Sequence, residues 1–165
     1  MAIQFRSANV SNTDTSTIYI MFEQFIKQLN SLQSDQKPLW GKMTAQHMVE
    51  HLILALQMSN GKLNVKCISQ PETLPPLKRF LLGDRPFPKE YINPFIGPDL
   101  LPLKFSDLNE ARSELEKEIN NYKNYFETRP DTETVHVTFG ELNKQEWDQF
   151  HSKHFTHHLE QFNLI

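Results

Sequence analysis

The chain has one cysteine, Cys67, and that scarcity excludes an internal disulfide and a cysteine-built zinc site. As a nucleophile Cys67 would need a neighbouring base, and Val65-Lys66-Cys67-Ile68 supplies none, so it reads as a structural thiol. No apolar run approaches the roughly 18 residues of a membrane span, and the N-terminus lacks the basic region and apolar core of a signal peptide. The expectation is a cytoplasmic protein with no membrane partner. Lys and Arg do not cluster, and a net charge of -3 argues against nucleic acid, which needs a phosphate-tracking basic face. A Gly-rich phosphate loop, a Ser-centred nucleophile elbow and an internal repeat are also lacking. Any metal here must be held by histidine, carboxylate and water.

Histidine, by contrast, is concentrated. Of seven in 165 residues, four fall in His151-Ser152-Lys153-His154-Phe155-Thr156-His157-His158. Asn143 followed three residues later by Glu146 has the form of a capping box and starts a helix. At about 100° per residue, Trp147, His151, His154, His158 and Gln161 share one stripe, with Phe150 and His157 at its edges. Histidines three or four apart on one face stand about 5 to 6 Å apart at Cβ, within reach of one metal ion. The spacing allows His154 with His158, and His151 with His154 or with His157; it does not choose between them. Two imidazoles rarely hold a metal firmly, so a third ligand must come from elsewhere.

The length suits one domain spanning 1–165, with twelve phenylalanines supplying much of the large apolar volume. Residues 1 to 15 are polar and read as an extended lead-in. Thr15 or Ser16 then caps a first helix through Ile18, Ile20, Met21, Phe22, Phe25, Ile26, Leu29 and Leu32, which Pro38 forbids from continuing. Thr44 caps a second, whose apolar face runs through Met48, His51, Leu52, Ala55 and Leu56 to Asn60-Gly61. His51, flanked at helical spacing by Met48, Leu52, Leu54 and Ala55, must be hydrogen-bonded or ligated if buried. His47 lies about 40° away on nearly the same side, or serves the first turn.

Residues 60 to 105 carry Pro71, Pro75, Pro76, Pro86, Pro88, Pro94, Pro98 and Pro102, which leaves room only for a short helix around Leu77 to Leu82. Phe80, Phe87, Tyr91 and Phe95 suggest that this crossover packs down, either as a strap or over a pocket. Asp107 and Glu110 read as another capping box, opening a helix through Leu108, Ala111, Leu115, Ile119, Tyr122 and Phe126. Its opposite face, Glu114, Glu116, Lys117, Glu118 and Lys123, reads as a solvated charge stripe. Residues 135 to 140 read as a loop, with His136 structural or at a pocket rim. The sum is an all-α fold: four long helices with a long Pro-rich crossover between the second and third, a four-helix bundle whose core can bring His51 to the histidines of the last helix.

Three stretches carry a resemblance. Trp40-Gly41-Lys42-Met43-Thr44-Ala45-Gln46-His47-Met48-Val49-Glu50-His51-Leu52, then Phe139-Gly140-Glu141-Leu142, then His154-Phe155-Thr156-His157-His158-Leu159-Glu160-Gln161-Phe162 are together similar to the DinB/YfiT-like superfamily. The likeness is anchored at the two histidine helices and faint across residues 60 to 130. It implies a DinB-like four-helix bundle in which His51, His154 and His158 bind a divalent metal ion: zinc, nickel or iron. It also matches Gln161 to a glutamine that follows the last ligand, and leaves His151 and His157 flanking or supporting the site.

That resemblance implies a metal-dependent enzyme that transfers a low-molecular-weight thiol to an electrophile, or hydrolyses a small-molecule substrate. His47, Glu50, His151 and His157 are acid/base candidates by proximity alone. The alternative is a metal-binding or stress-response bundle without turnover, and a third reading is a hydrogen-bonded histidine core that binds nothing. The first helix offers a surface for a homodimer.

Overall fold

The structure, a computed structural model, describes residues 15–89 and 99–165. The lead-in before Thr15 and the crossover residues Tyr91, Pro94, Phe95 and Pro98 lie outside them. The described chain is mainly helical: α1 Thr15–Leu29, α2 Ala45–Ser59, a 3-10 turn Pro71–Thr73 running into α3 Leu74–Leu82, α4 Leu108–Thr128, β1 Thr134–His136, β2 Gly140–Leu142 and α5 Lys144–Gln161. The long helices pack pairwise. α2 lies along α4 and touches α5, while α1 lies against α5 and touches α4. α3, whose first turn is set by Pro75 and Pro76, packs on α5. No helix among the described residues is long and apolar enough to cross a membrane.

The caps of the histidine-bearing helices follow local chemistry. The Thr44 side chain accepts from the His47 N–H at the start of α2, and Asn143 with Glu146 forms the complete capping box of α5. α4 differs from expectation. Asp107 does cap it, accepting from Asn109 N and Glu110 N, but the Glu110 carboxylate turns back to Ser106 N and Oγ instead of the Asp107 N–H. α1 begins earlier and ends earlier than its periodicity suggests. Thr15 and Ser16 are already helical, and the helix stops at Leu29, where Ser31 Oγ bonds the Gln28 carbonyl. Leu32 still reaches the core from the turn that follows.

That core is built from Phe22 of α1, Met48, Leu52 and Leu56 of α2, Tyr122 and Phe126 of α4, and Trp147 and Phe155 of α5, all fully buried. At about 25 cal/mol per Å² of apolar surface, such side chains supply the main force holding the helices together. Two buried carboxylates fix registers within it. Asp148 of α5 accepts from Tyr122 Oη and Lys144 Nζ, each at 2.6 Å. Glu118, expected on the solvated stripe of α4, is instead 1% exposed and accepts from Asn60 Nδ2 at 3.0 Å and Lys62 Nζ at 2.7 Å. Burial alone would raise its pKa, but the bonds from Lys62, Asn60 and Asn121 outweigh that and hold it below the usual range. α2 lies over this point of α4, and helical periodicity in α4 alone cannot reveal it.

The expected loop before α5 is a hairpin, so the fold is not purely helical. β1 and β2 pair antiparallel, with His136 opposite Gly140. Three-residue strands leave no usable alternation in the sequence. The turn is held from inside: Thr138 N–H and Phe139 N–H donate to His136 Nδ1 at 3.0 and 3.2 Å. Gly140 has φ +75°, and a Cβ there would stand 3.3 Å from Leu74 Cδ1, so both backbone and space favour glycine. His136 is buried among Phe139, Trp147 and Phe150, and is structural.

Burial pushes the His136 pKa from 6.5 down to about 3, and its two accepted bonds require the unprotonated Nδ1. Between those values the unfolded chain binds the proton and the folded chain does not. Stability is therefore complete above pH 6.5 and is lost as pH falls toward 3, by up to about 1.4 kcal/mol per pH unit from this group. Thermal melts from pH 7 to pH 4.5 should show a shallower loss in His136→Asn, whose amide oxygen accepts without titrating, than in the wild type. Parallel curves would refute the assignment.

Candidate metal centre

His51 sits mid-way along α2, and His154 and His158 sit one turn apart on α5. The contact between the two helices brings the three rings together. His154 Nε2 lies 2.8 Å from His51 Nε2 and 3.1 Å from His158 Nε2, and the ring centroids are 4.7 to 5.0 Å apart. One donor nitrogen from each lies within 4.8 Å of the others, close enough to hold a metal ion. His154 and His158 are buried, and His51 retains some accessible surface.

Desolvation favours neutral rings. Burial first, then His157, pushes the His51 pKa down to about 4. Burial and the neighbouring histidines push His154 well below its ordinary value. Burial lowers His158 too, against a smaller opposing effect of Gln161. Neutral imidazoles carry one lone pair each, and three nitrogens this close cannot all be matched by protons. If His154 Nε2 carries one, it donates to only one neighbour and leaves His154 Nδ1, buried with no hydrogen-bond partner among the described residues, as a bare acceptor. A cation between the rings would engage all three Nε2 atoms, so the donor set fits a divalent ion.

His158 is held from behind. Its Nδ1 lies 2.8 Å from Gln161 Oε1, and Gln161 Nε2 donates to the Trp40 carbonyl at 2.9 Å. Sequence reading placed Gln161 near the site but missed the Trp40 carbonyl, because a loop backbone contact has no periodic signature. It also missed how Phe87 walls the centre. That ring stacks on Phe139 and lies 6.4 Å from His154 and 6.5 Å from His157. Phe80 packs 6.0 Å from Phe87, and Lys153 Nζ bonds the Phe80 carbonyl, so this described part of the crossover does pack down.

The other singled-out residues go elsewhere. His151 turns into the core between Trp147 and Tyr122 and bonds Ser59 Oγ at 2.9 Å. Ser59 Oγ already donates to the Leu56 carbonyl, so His151 Nε2 is the donor. Burial lowers the His151 pKa to about 3. His47 stays in the first turn of α2, its Nδ1 2.7 Å from Thr44 Oγ1. His157 is half-buried, edge-on to Trp40 and 5.1 Å from the His158 ring. Burial lowers its pKa, while a hydrogen bond to the Phe87 backbone acts the other way. Glu50 points to the crossover: its carboxylate accepts from Lys104 N at 2.8 Å, Phe105 N at 3.3 Å and Gln46 Nε2 at 3.0 Å.

Residues 107–164, roughly the C-terminal third, match a family described as a protein of unknown function, DUF1569. The match spans α4, the hairpin and α5, so it includes His154, His158 and Gln161 but not His51. No curated protein and no solved structure matches the chain.

Glu50 therefore fastens the crossover to α2, with both carboxylate oxygens engaged. Glu50→Ala should cost about 1–3 kcal/mol in a denaturant titration and leave metal uptake unchanged. Loss of metal with unaltered stability would reverse the assignment.

Proposed function

We propose that this chain is a metal-dependent enzyme of the DinB/YfiT type, a four-helix bundle that binds a divalent ion through His51, His154 and His158. The observation that carries the proposal is the convergence of three neutral imidazoles, two buried and one partly exposed, on their Nε2 atoms, drawn from two helices 103 residues apart at His51 and His154. The pairwise packing of α1, α2, α4 and α5 supports the bundle. A divalent ion with three histidine ligands keeps a position open and makes water or a thiol bound there more acidic at neutral pH. Zinc, nickel and iron all suit imidazole donors.

The chain's residues supply the surroundings. His51 is the partly exposed member of the set, which favours substrate access from the α2 side. Phe87, Phe139 and Phe150 form an aromatic wall beside His154 and exclude water there. A low-molecular-weight thiol and an electrophile, or a hydrolysable small molecule, are the substrate classes proposed. A homodimer through the outer face of α1, where Ile20 is exposed, belongs to the same reading.

A second reading is a metal-binding bundle without turnover. It is favoured by the commitments of three of the four acid/base candidates: Glu50 to the crossover, His151 to Ser59 and His47 to Thr44. Mass-spectrometric metal analysis of wild type, His51→Ala and His154→Ala separates the readings when paired with a thiol-plus-electrophile panel. The enzyme reading expects near-stoichiometric metal in wild type, its loss in both variants, and parallel loss of turnover. Metal without turnover favours the second reading. Wild type without metal after reconstitution would overturn both.

A further inference from the structure

We propose that the Trp40–Gly41 turn is a positioning device for His158, locking the Gln161 amide in the one orientation that leaves the His158 Nε2 lone pair free for the cluster. The inference rests on reading His158 as a metal ligand, but its first consequence concerns the metal-free protein.

Gln161 closes α5 and is 5% exposed, so its amide must find its partners inside the protein. At one end the Trp40 carbonyl lies 2.9 Å away. A carbonyl only accepts, so the amide NH2 must face it. The opposite orientation would set two oxygens against each other. The amide oxygen is thereby turned to His158 Nδ1 at 2.8 Å, and an oxygen there accepts only from a protonated Nδ1. In a neutral ring the proton on Nδ1 leaves Nε2 bare, and that atom lies 3.1 Å from His154 Nε2. The tautomer of a ligand on α5 is thus decided by a backbone oxygen 118 positions earlier in the chain, at Trp40.

The carbonyl is itself held in place. Leu39 N–H donates to the Gln161 carbonyl at 2.7 Å, and the Gln36 side chain donates to the Phe162 carbonyl, so the segment before the turn clasps the end of α5. Gly41 then has φ +79°, and a Cβ there would stand 3.0 Å from Gln161 Nε2. Any other residue would both strain the turn and push on the amide it orients. Its neighbour in the cluster has no such support: His154 Nδ1 is without a partner among the described residues. Of the two α5 rings in the cluster, His158 is the one whose orientation the protein specifies in advance.

Histidine-selective 15N NMR of the metal-free protein at pH 8 reads the tautomer directly, and competition with a chromophoric chelator reads zinc affinity. Wild type should show His158 protonated at Nδ1. Gln161→Met and Gly41→Ala should shift it toward Nε2–H and weaken zinc binding about 10- to 100-fold. Gln161→Glu, whose carboxylate can still accept from Nδ1–H, should restore the tautomer. A residue that merely packs would move the melting temperature in all three variants and leave the tautomer alone. If Gln161→Met fails to fold, the wild-type tautomer and Gly41→Ala still decide. An Nε2–H tautomer in wild type, or wild-type tautomer and zinc affinity in both Gln161→Met and Gly41→Ala, would overturn the proposal. If the tautomers follow expectation but wild type takes up no zinc, the positioning stands and the metal reading falls.

Discussion

Taking an imidazole out of water deprives both of its nitrogens of solvent partners, and much of this structure depends on how far the protein replaces them. His136 accepts two backbone N–H groups and so holds the hairpin turn. His151 donates from Nε2 to Ser59 and ties α5 to the end of α2, while its Nδ1 has no partner among the described residues. His158 is matched by Gln161 on one side and faces His154 on the other. Only the cluster of His51, His154 and His158 leaves lone pairs converging without enough protons to match them. That convergence sets it apart from His151, whose one unmatched nitrogen is packed among aromatic rings.

The same helix, α5, bears structural and candidate ligand histidines on neighbouring turns, and their difference lies in what packs opposite. His151 meets Phe22, Tyr122 and Phe155, a wall with no donor nitrogen. One turn later, His154 meets His51 of α2. The buried carboxylates hold neighbouring parts of the framework. Asp148 joins α5 to α4 through Tyr122, Glu118 joins α4 to the end of α2, and Glu50 fastens the crossover to α2. A shift of α5 by one turn would carry His154 and His158 past His51, so these polar ties guard the geometry that apolar packing, being non-directional, leaves loosely specified.

Local chemistry was legible in the chain. The caps at Thr44 and Asn143, the stop at Asn60-Gly61 and the mainly helical class all follow from side-chain hydrogen bonding and 3.6-residue periodicity. So did the placing of His154 and His158 on one stripe of α5, because neighbours on a helix are fixed by its geometry. The choice between that pair and one including His151 came from a resemblance, since spacing leaves the pairs equivalent.

What tertiary structure alone decided is what depends on a second element. The hairpin arises because His136 finds two backbone donors, which strands of three residues do not announce. Glu118 is buried because Asn60 and Lys62 come to meet it, although α4 by itself presents it with exposed charges. Glu50 is taken up by the crossover, and the Trp40 carbonyl reaches Gln161, through backbone contacts that no residue pattern encodes. A helix can specify from its own residues which side chains share a face; which atom lies opposite that face depends on how the whole chain closes around it.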